Sequence, residues 1–352
     1  MVGWPDRRFL DLVGCEHPIV QAPMAGAGGV DLCVAAIKGG ALGSLPCALL
    51  SPEQVWDQVA EVRSRGAGPL NLNFFCHKMP EPANDGAWRA LLQPYYDEFG
   101  IEPGNGGALR LPFDEAMCAM VEELRPEVVS FHFGLPGPEL LDRVKATDAV
   151  VIGNATSIEE ALWLESRGVD AIIAQGFEAG GHTGRFLGDD PAEAMTLFAL
   201  VPQLADASAV PVIAAGGIGD GRGIAAAFIL GASAVQLGTA YLHAPETPIS
   251  ETHRRRLKGG HTLFTNLLTG GLARGLRGRL IDELGPVRSE APPYPLASAA
   301  LAALRAAGEK RGEYGFGPMW AGQSAPLGKP LPAAELTRRL AAEALAILGG
   351  EA

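Results

Sequence analysis

The sequence predicts an α/β fold, a (β/α)8 TIM barrel carrying an insertion after its third strand and a C-terminal helical extension. Three observations lead there. Eight short β-rich runs, four of them ending in Gly or Pro, alternate with Ala-, Leu- and Glu-rich stretches. Such alternation builds a parallel sheet, and eight units close it into a barrel. The main rival, an open doubly wound sheet, opens with Gly-x-Gly-x-x-Gly after its first strand. Here the first run continues as Met24-Ala25-Gly26-Ala27-Gly28-Gly29, which lacks that spacing.

Taken in order, the predicted strands are Pro18–Met24, Ala41–Pro46, Leu70–Phe75, Val128–Gly134, Ala149–Ala155, Ala171–Gly176, Val210–Gly217 and Ala234–Leu242. Between them, Pro52–Arg65 opens after Ser51 with proline at its first position. Ser157–Arg167 starts on a capping serine and stops before Gly168. Asp220–Leu230 stops before Gly231. Residues 1–246 are read as the barrel, with 76–127 as a long insertion holding two helix candidates. Residues 247–352 are read as an extension packed on the barrel. It includes a Pro-rich turn at Ala291–Pro295 and a closing amphipathic helix near Pro332–Leu348.

Composition excludes several function classes. The chain has 352 residues and a formal charge of −12, so it has no electrostatic footprint for nucleic acid. Its densest basic run, Arg254-Arg255-Arg256-Leu257-Lys258, reads as a solvated helix face. No stretch of about 18 apolar residues exists to span a membrane. The N-terminus has no apolar signal core. Five cysteines, none in a Cys-x-x-Cys pair or a zinc spacing, read as reduced thiols. The expectation is a cytoplasmic enzyme without metal, a monomer or a homodimer.

The chemistry centres on Ala171–Gly184, a buried strand running into a glycine-rich loop that carries His182. Loops at the carboxyl ends of barrel strands hold the reacting groups, and histidine is suited to proton exchange near neutral pH. His182 is therefore the candidate catalytic residue. Gly180 and Gly181 remove bulk beside it. His132, near the end of the fourth strand, is either a substrate contact or a satisfied core histidine. The seventh and eighth strands end in Gly216, Gly217 and then Gln236-Leu237-Gly238-Thr239. Barrels bind phosphate with these two loops, aided by a helix N-terminus. Ala22, Pro23 and Met24 on the first strand, Asn73 on the third and Gln175 on the sixth converge on the same mouth. Buried amides there suit a polar heterocycle. A phosphate held by backbone and threonine, under a flat ring, fits flavin mononucleotide (FMN). Tyr241, Tyr294, Tyr314 and Lys329 could reach a substrate carboxylate. The chain has no Gly-x-Ser-x-Gly elbow, which argues against acyl transfer.

Taken together, Gln21–Gly26, Asn71–His77, Gln175–Gly184, Ala214–Gly219, Gln236–Thr239 and Met319-Trp320-Ala321-Gly322-Gln323 resemble the nitronate monooxygenases, formerly 2-nitropropane dioxygenases. The last piece resembles their class I branch. The resemblance implies an FMN-bound barrel that oxidises alkyl nitronates with O2 to a carbonyl compound and nitrite. Propionate 3-nitronate is the substrate that the class I branch favours. It implies His182 as base or nitronate anchor, with Asn73, Gln175, Gly180, Gly217 and Gln236–Thr239 holding FMN. Where some bacterial relatives carry a histidine at the end of the fifth strand, this chain has Gly153-Asn154. The flavin-dependent enoyl-acyl-carrier-protein reductases, which use NAD(P)H, share the barrel and the Glu-Ala-Gly-Gly-His loop and are the alternative.

Overall fold

All eight predicted strands are present in the computed structural model, which describes residues 3–81, 84–104, 106–107, 109–188 and 190–349. In chain order the strands are β1 (Ile19–Gln21), β2 (Gly43–Pro46), β3 (Leu70–Phe75), β4 (Val128–His132), β5 (Val150–Ala155), β6 (Ala171–Gln175), β7 (Gly181–His182), β8 (Val212–Ala215), β9 (Ala234–Leu237), β10 (Thr262–Thr265) and β11 (Ala273–Leu276). Eight of these form one parallel sheet in the order β1-β9-β8-β6-β5-β4-β3-β2. A parallel bridge between Val20 and Leu42 brings the last strand back to the first. The sheet is thus a TIM barrel.

Alternation along each strand sorts the side chains into two cores. One face packs outward: Leu32, Val55, Val59, Leu72, Phe131, Ile172, Leu200 and Val235 are among those buried between strands and helices. The other face fills the barrel floor with Val20, Leu42, Val128, Ile152, Ile173 and Ile213. Phe9, fully buried on the helix Arg8–Val13, plugs that floor from below. The opposite end of the barrel is left open for a site.

The helices begin where their capping residues predict. Ser51 and Gln54 form a reciprocal capping box at Pro52–Arg65. Ser157 caps Ile158–Glu165 through the N–H of Glu160. The closing helix, Ala333–Leu348, packs so tightly on the barrel that a Cβ on Gly221 would stand 2.3 Å from Glu343 Cβ. The insertion supplies Gly86–Phe99, whose Trp88, Leu92 and Tyr96 share a separate core with Leu301, Leu304 and Phe316 of the tail. The predicted ends, 1–2 and 350–352, lie outside the described residues.

The sequence reading lacks one element. A small antiparallel sheet, β10-β11-β7, joins the His182 loop to the tail, with His182 opposite Ala273 and Gly181 opposite Arg274. The loop carrying the candidate catalytic residue is therefore held by backbone pairing with the extension. No helix is long and apolar enough to cross a membrane, and no His, Cys, Asp or Glu cluster suited to a metal occurs among the described residues.

Candidate active site

One cavity of about 510 Å³ opens at the carboxyl ends of the barrel strands, within the roughly 300–1,000 Å³ usual for small-molecule sites. Ala22, Pro23 and Met24 line it from β1, Asn73 from β3, His132 from β4 and Gln175 from β6. Gly180, Gly181 and His182 line it from the loop, and Gly216, Gly217, Gln236, Gly238 and Thr239 from the ends of β8 and β9. Leu237 departs from the expectation. Its side chain is buried in the outer core, and its carbonyl accepts the Ala22 N–H at 2.9 Å. The cause is strand periodicity: where Gln236 faces the mouth, its neighbour faces away. Tyr241 and Lys329 are also elsewhere, bonded to Thr337 and Glu343 respectively. Tyr314 does line the cavity, and the Tyr294 ring lies 5.0 Å from that of His182.

The glycine loops are built for close approach. Gly216 and Gly217 have φ of 109° and 70°, a left-handed conformation that disfavours side chains. A Cβ on Gly180 would stand 2.5 Å from the backbone of Ala321 and Gly322. The helix after β8 does not offer its N-terminus to a phosphate. Asp220 caps it, accepting from the N–H groups of Arg222 and Gly223. The Thr239 hydroxyl accepts the Gly322 N–H at 2.8 Å and keeps its own proton to donate.

The amides divide by role. Gln175 is engaged with the loop: its Oε1 accepts from Gly184 N–H at 2.7 Å, and its Nε2 donates to the His182 carbonyl at 2.9 Å. Asn154, which also donates to Gln175 Oε1 at 3.2 Å, lines the cavity at the end of β5. The Asn73 amide donates to Ser130, leaving its carbonyl oxygen for another donor. Among the described residues, Gln236 Oε1 is buried without any hydrogen-bond partner. An orphaned buried acceptor of this kind calls for a ligand donor. Together they match a flat, N–H-bearing heterocycle whose phosphate meets the glycine turns.

His182 is 8% exposed. Its Nε2 lies 2.8 Å from the Thr269 hydroxyl, and the rings of Phe133, Tyr294 and Trp320 surround it at 6.2, 5.0 and 5.4 Å. Burial holds its pKa well below the ordinary 6.5, with the nearby charge of Arg110 next in importance. His182 is therefore a neutral imidazole at physiological pH. Burial also pushes His77, His132 and His253 down to about 4. The folded protein thus takes up fewer protons than the unfolded chain. Stability is full above about pH 6.5 and falls as pH drops from there towards 4. Thermal unfolding at pH 7.5, 6, 5 and 4.5 is expected to show a progressively lower Tm, and a flat Tm would contradict neutral burial of these rings.

Arg110 escaped the sequence reading. It is 8% exposed, lies in an irregular stretch of the insertion and lines the cavity. Its signal is faint, one arginine between two leucines in Leu109-Arg110-Leu111. Thr269 has no motif at all and is brought to His182 by the tail.

A family model described as Nitronate monooxygenase matches residues 7–343. The chain belongs to the nitronate monooxygenase family. Similar curated relatives include the nitronate monooxygenases of Paraburkholderia phytofirmans, 41% identical with 96% of this chain and 94% of the relative covered, and of Pseudomonas aeruginosa, 41% identical with 96% and 98% covered. Among solved structures, the nitroalkane oxidase of Streptomyces ansochromogenes matches with a TM-score of 0.90, 34% identity and coverage of 98% of this chain and 100% of that one. This chain is accordingly an oxidoreductase of a flavin-dependent family.

Proposed function

We propose that this nitronate monooxygenase family member binds FMN and oxidises alkyl nitronates, propionate 3-nitronate among them, with O2 to a carbonyl compound and nitrite. The observation that carries this reading is a buried, neutral His182 facing a cavity with a glycine cradle at one side and an orphaned Gln236 carbonyl at another. Gly216, Gly217, Gly238 and Thr239 would hold the phosphate. Asn73, Gln236, Gly180 and Gly181 would meet the ring, and Ala22, Pro23 and Met24 would support it. Bound there, FMN supplies the electron transfer between nitronate and dioxygen that no side chain here can perform.

The protein's own residues do the rest. Thr269 holds His182 Nε2, and Nδ1 has no protein partner among the described residues. Protonated at Nδ1, the imidazole donates a hydrogen bond to a nitronate oxygen. Unprotonated there, it takes the α-proton from a neutral nitroalkane. Gln175 fixes the loop through the His182 carbonyl, and Phe133, Tyr294 and Trp320 keep water from the reacting atoms. The same reading treats 1–246 as the flavin barrel and 247–352 as its extension, in a cytoplasmic monomer or homodimer.

The test is anaerobic mixing of the purified protein with propionate 3-nitronate, and separately with NADPH, while flavin absorbance is followed. Rapid bleaching by the nitronate with NADPH inert is the expected result. Bleaching by NADPH alone would overturn it in favour of a reductase of unsaturated acyl thioesters.

A further inference from the structure

Arg110 is a buried cation that the reading above leaves without a role. It is 8% exposed, yet among the described residues no carboxylate stands within ion-pairing distance of it. The two carboxylates that line the same cavity are otherwise engaged, Glu309 with Arg305 and Glu313 with Arg279. The charged and titratable groups near Arg110 are His77, His182, Tyr294 and Arg305, none of them an anion at neutral pH. An arginine does not lose its proton inside a protein, and a buried unpaired charge is costly. The cavity is therefore matched to an anionic occupant.

The shape of the guanidinium narrows the class. Its planar fork of N–H donors fits two oxygens held in one plane, in a bidentate pair. A carboxylate and a nitronate both present that pair.

We propose that Arg110 is the anion anchor of this cavity, gripping a planar oxyanion of the substrate. The proposal rests on the nitronate reading and deepens it. His182, being neutral, is relieved of balancing the substrate's charge and is free to hold or move a proton. The anchor also selects for charge, since a neutral nitroalkane would leave the guanidinium unpaired in the closed site.

The test compares the flavin-loaded wild type with Arg110→Met and Arg110→Lys on two substrates. Propyl-1-nitronate has one oxyanion, and propionate 3-nitronate has two. Arg110→Met is expected to raise KM by about 10- to 100-fold with kcat within a few-fold and flavin content unchanged, and Arg110→Lys to recover part of the loss. A rise for both substrates assigns the anchor to the nitronate group, and a rise only for the dianion assigns it to the carboxylate. KM values within twofold of wild type on both, or a loss confined to kcat, would overturn the proposal. Calorimetric binding of 3-nitropropionate, whose carboxylate is charged and whose nitro group is neutral, needs no turnover. If the wild type oxidises no nitronate yet binds this probe in an Arg110-dependent way, the anchor stands and the nitronate reading falls. If Arg110→Met does not fold, Arg110→Lys carries the comparison: unchanged KM on both substrates and unchanged probe affinity would overturn the bidentate grip.

Discussion

Replacing His182 by asparagine is expected to cut nitronate turnover by about 10²-fold or more while the flavin stays bound. Asparagine gives up the Thr269 contact made by Nε2, but the loop stays anchored through Gln175 on the residue 182 carbonyl and the β7–β11 pairing. The asparagine amide can stand where Nδ1 stands, but it cannot exchange a proton there. The flavin contacts proposed above lie on other residues, which is why binding and turnover should separate. Oxygen consumption and nitrite release measure the first effect, and the flavin-to-protein absorbance ratio measures the second. Full activity in His182→Asn would remove the imidazole from the mechanism. An apoprotein would show instead that the residue is structural.

The second large effect is expected at Gly180. A Cβ there would stand 2.5 Å from Ala321 C and from Gly322 N, both main-chain atoms that cannot swing aside. The loop and the tail segment are also tied directly, with Gln323 N–H donating to the Glu178 carbonyl at 2.9 Å and Gly322 N–H to Thr239 Oγ1 at 2.8 Å. Gly180→Ala must separate these strands of chain or distort the loop. A cost of about 1–3 kcal/mol is the usual result of such overpacking. Because Thr239 and Gly180 both border the proposed flavin site, flavin affinity should fall at least tenfold, read by equilibrium dialysis with Tm measured in parallel. Unchanged Tm and unchanged flavin content would show that the backbone yields there without consequence.

The barrel was legible in the sequence because its strands are buried on both faces. Ala171–Gln175 reads as an apolar run ending in Gln, Leu70–Phe75 alternates apolar residues with Asn71 and Asn73, and the caps Ser51, Ser157 and Asp220 mark where helices begin. The glycines at the mouth were legible because their spacing follows the strand ends. What escaped is long-range. β7 is two residues long and pairs with β11, about 90 positions further along the chain, so no local pattern announces it. Thr269 reaches His182 through the same fold-back, and Arg110 arrives from an irregular loop with no periodicity to read. Leu237 shows the converse error, a correct segment whose individual side chains need the alternation rule applied one residue at a time. Tyr241 and Lys329 had suitable chemistry but were claimed by partners in the closing helix.

The pairing of β7 with β11 has a further meaning for how this enzyme breathes. Two hydrophobic assemblies, one between the barrel's strands and helices and one between the insertion and the tail, are joined beside the reacting atoms by this pairing. Besides the β7–β11 pairing, the junction carries the Gln323–Glu178, Gly322–Thr239 and Arg274–Phe177 hydrogen bonds, and a junction of this kind opens locally at lower cost than either assembly melts. By the same logic, warming should silence catalysis before it unfolds the barrel, because the first thing lost is the register that holds His182 in place.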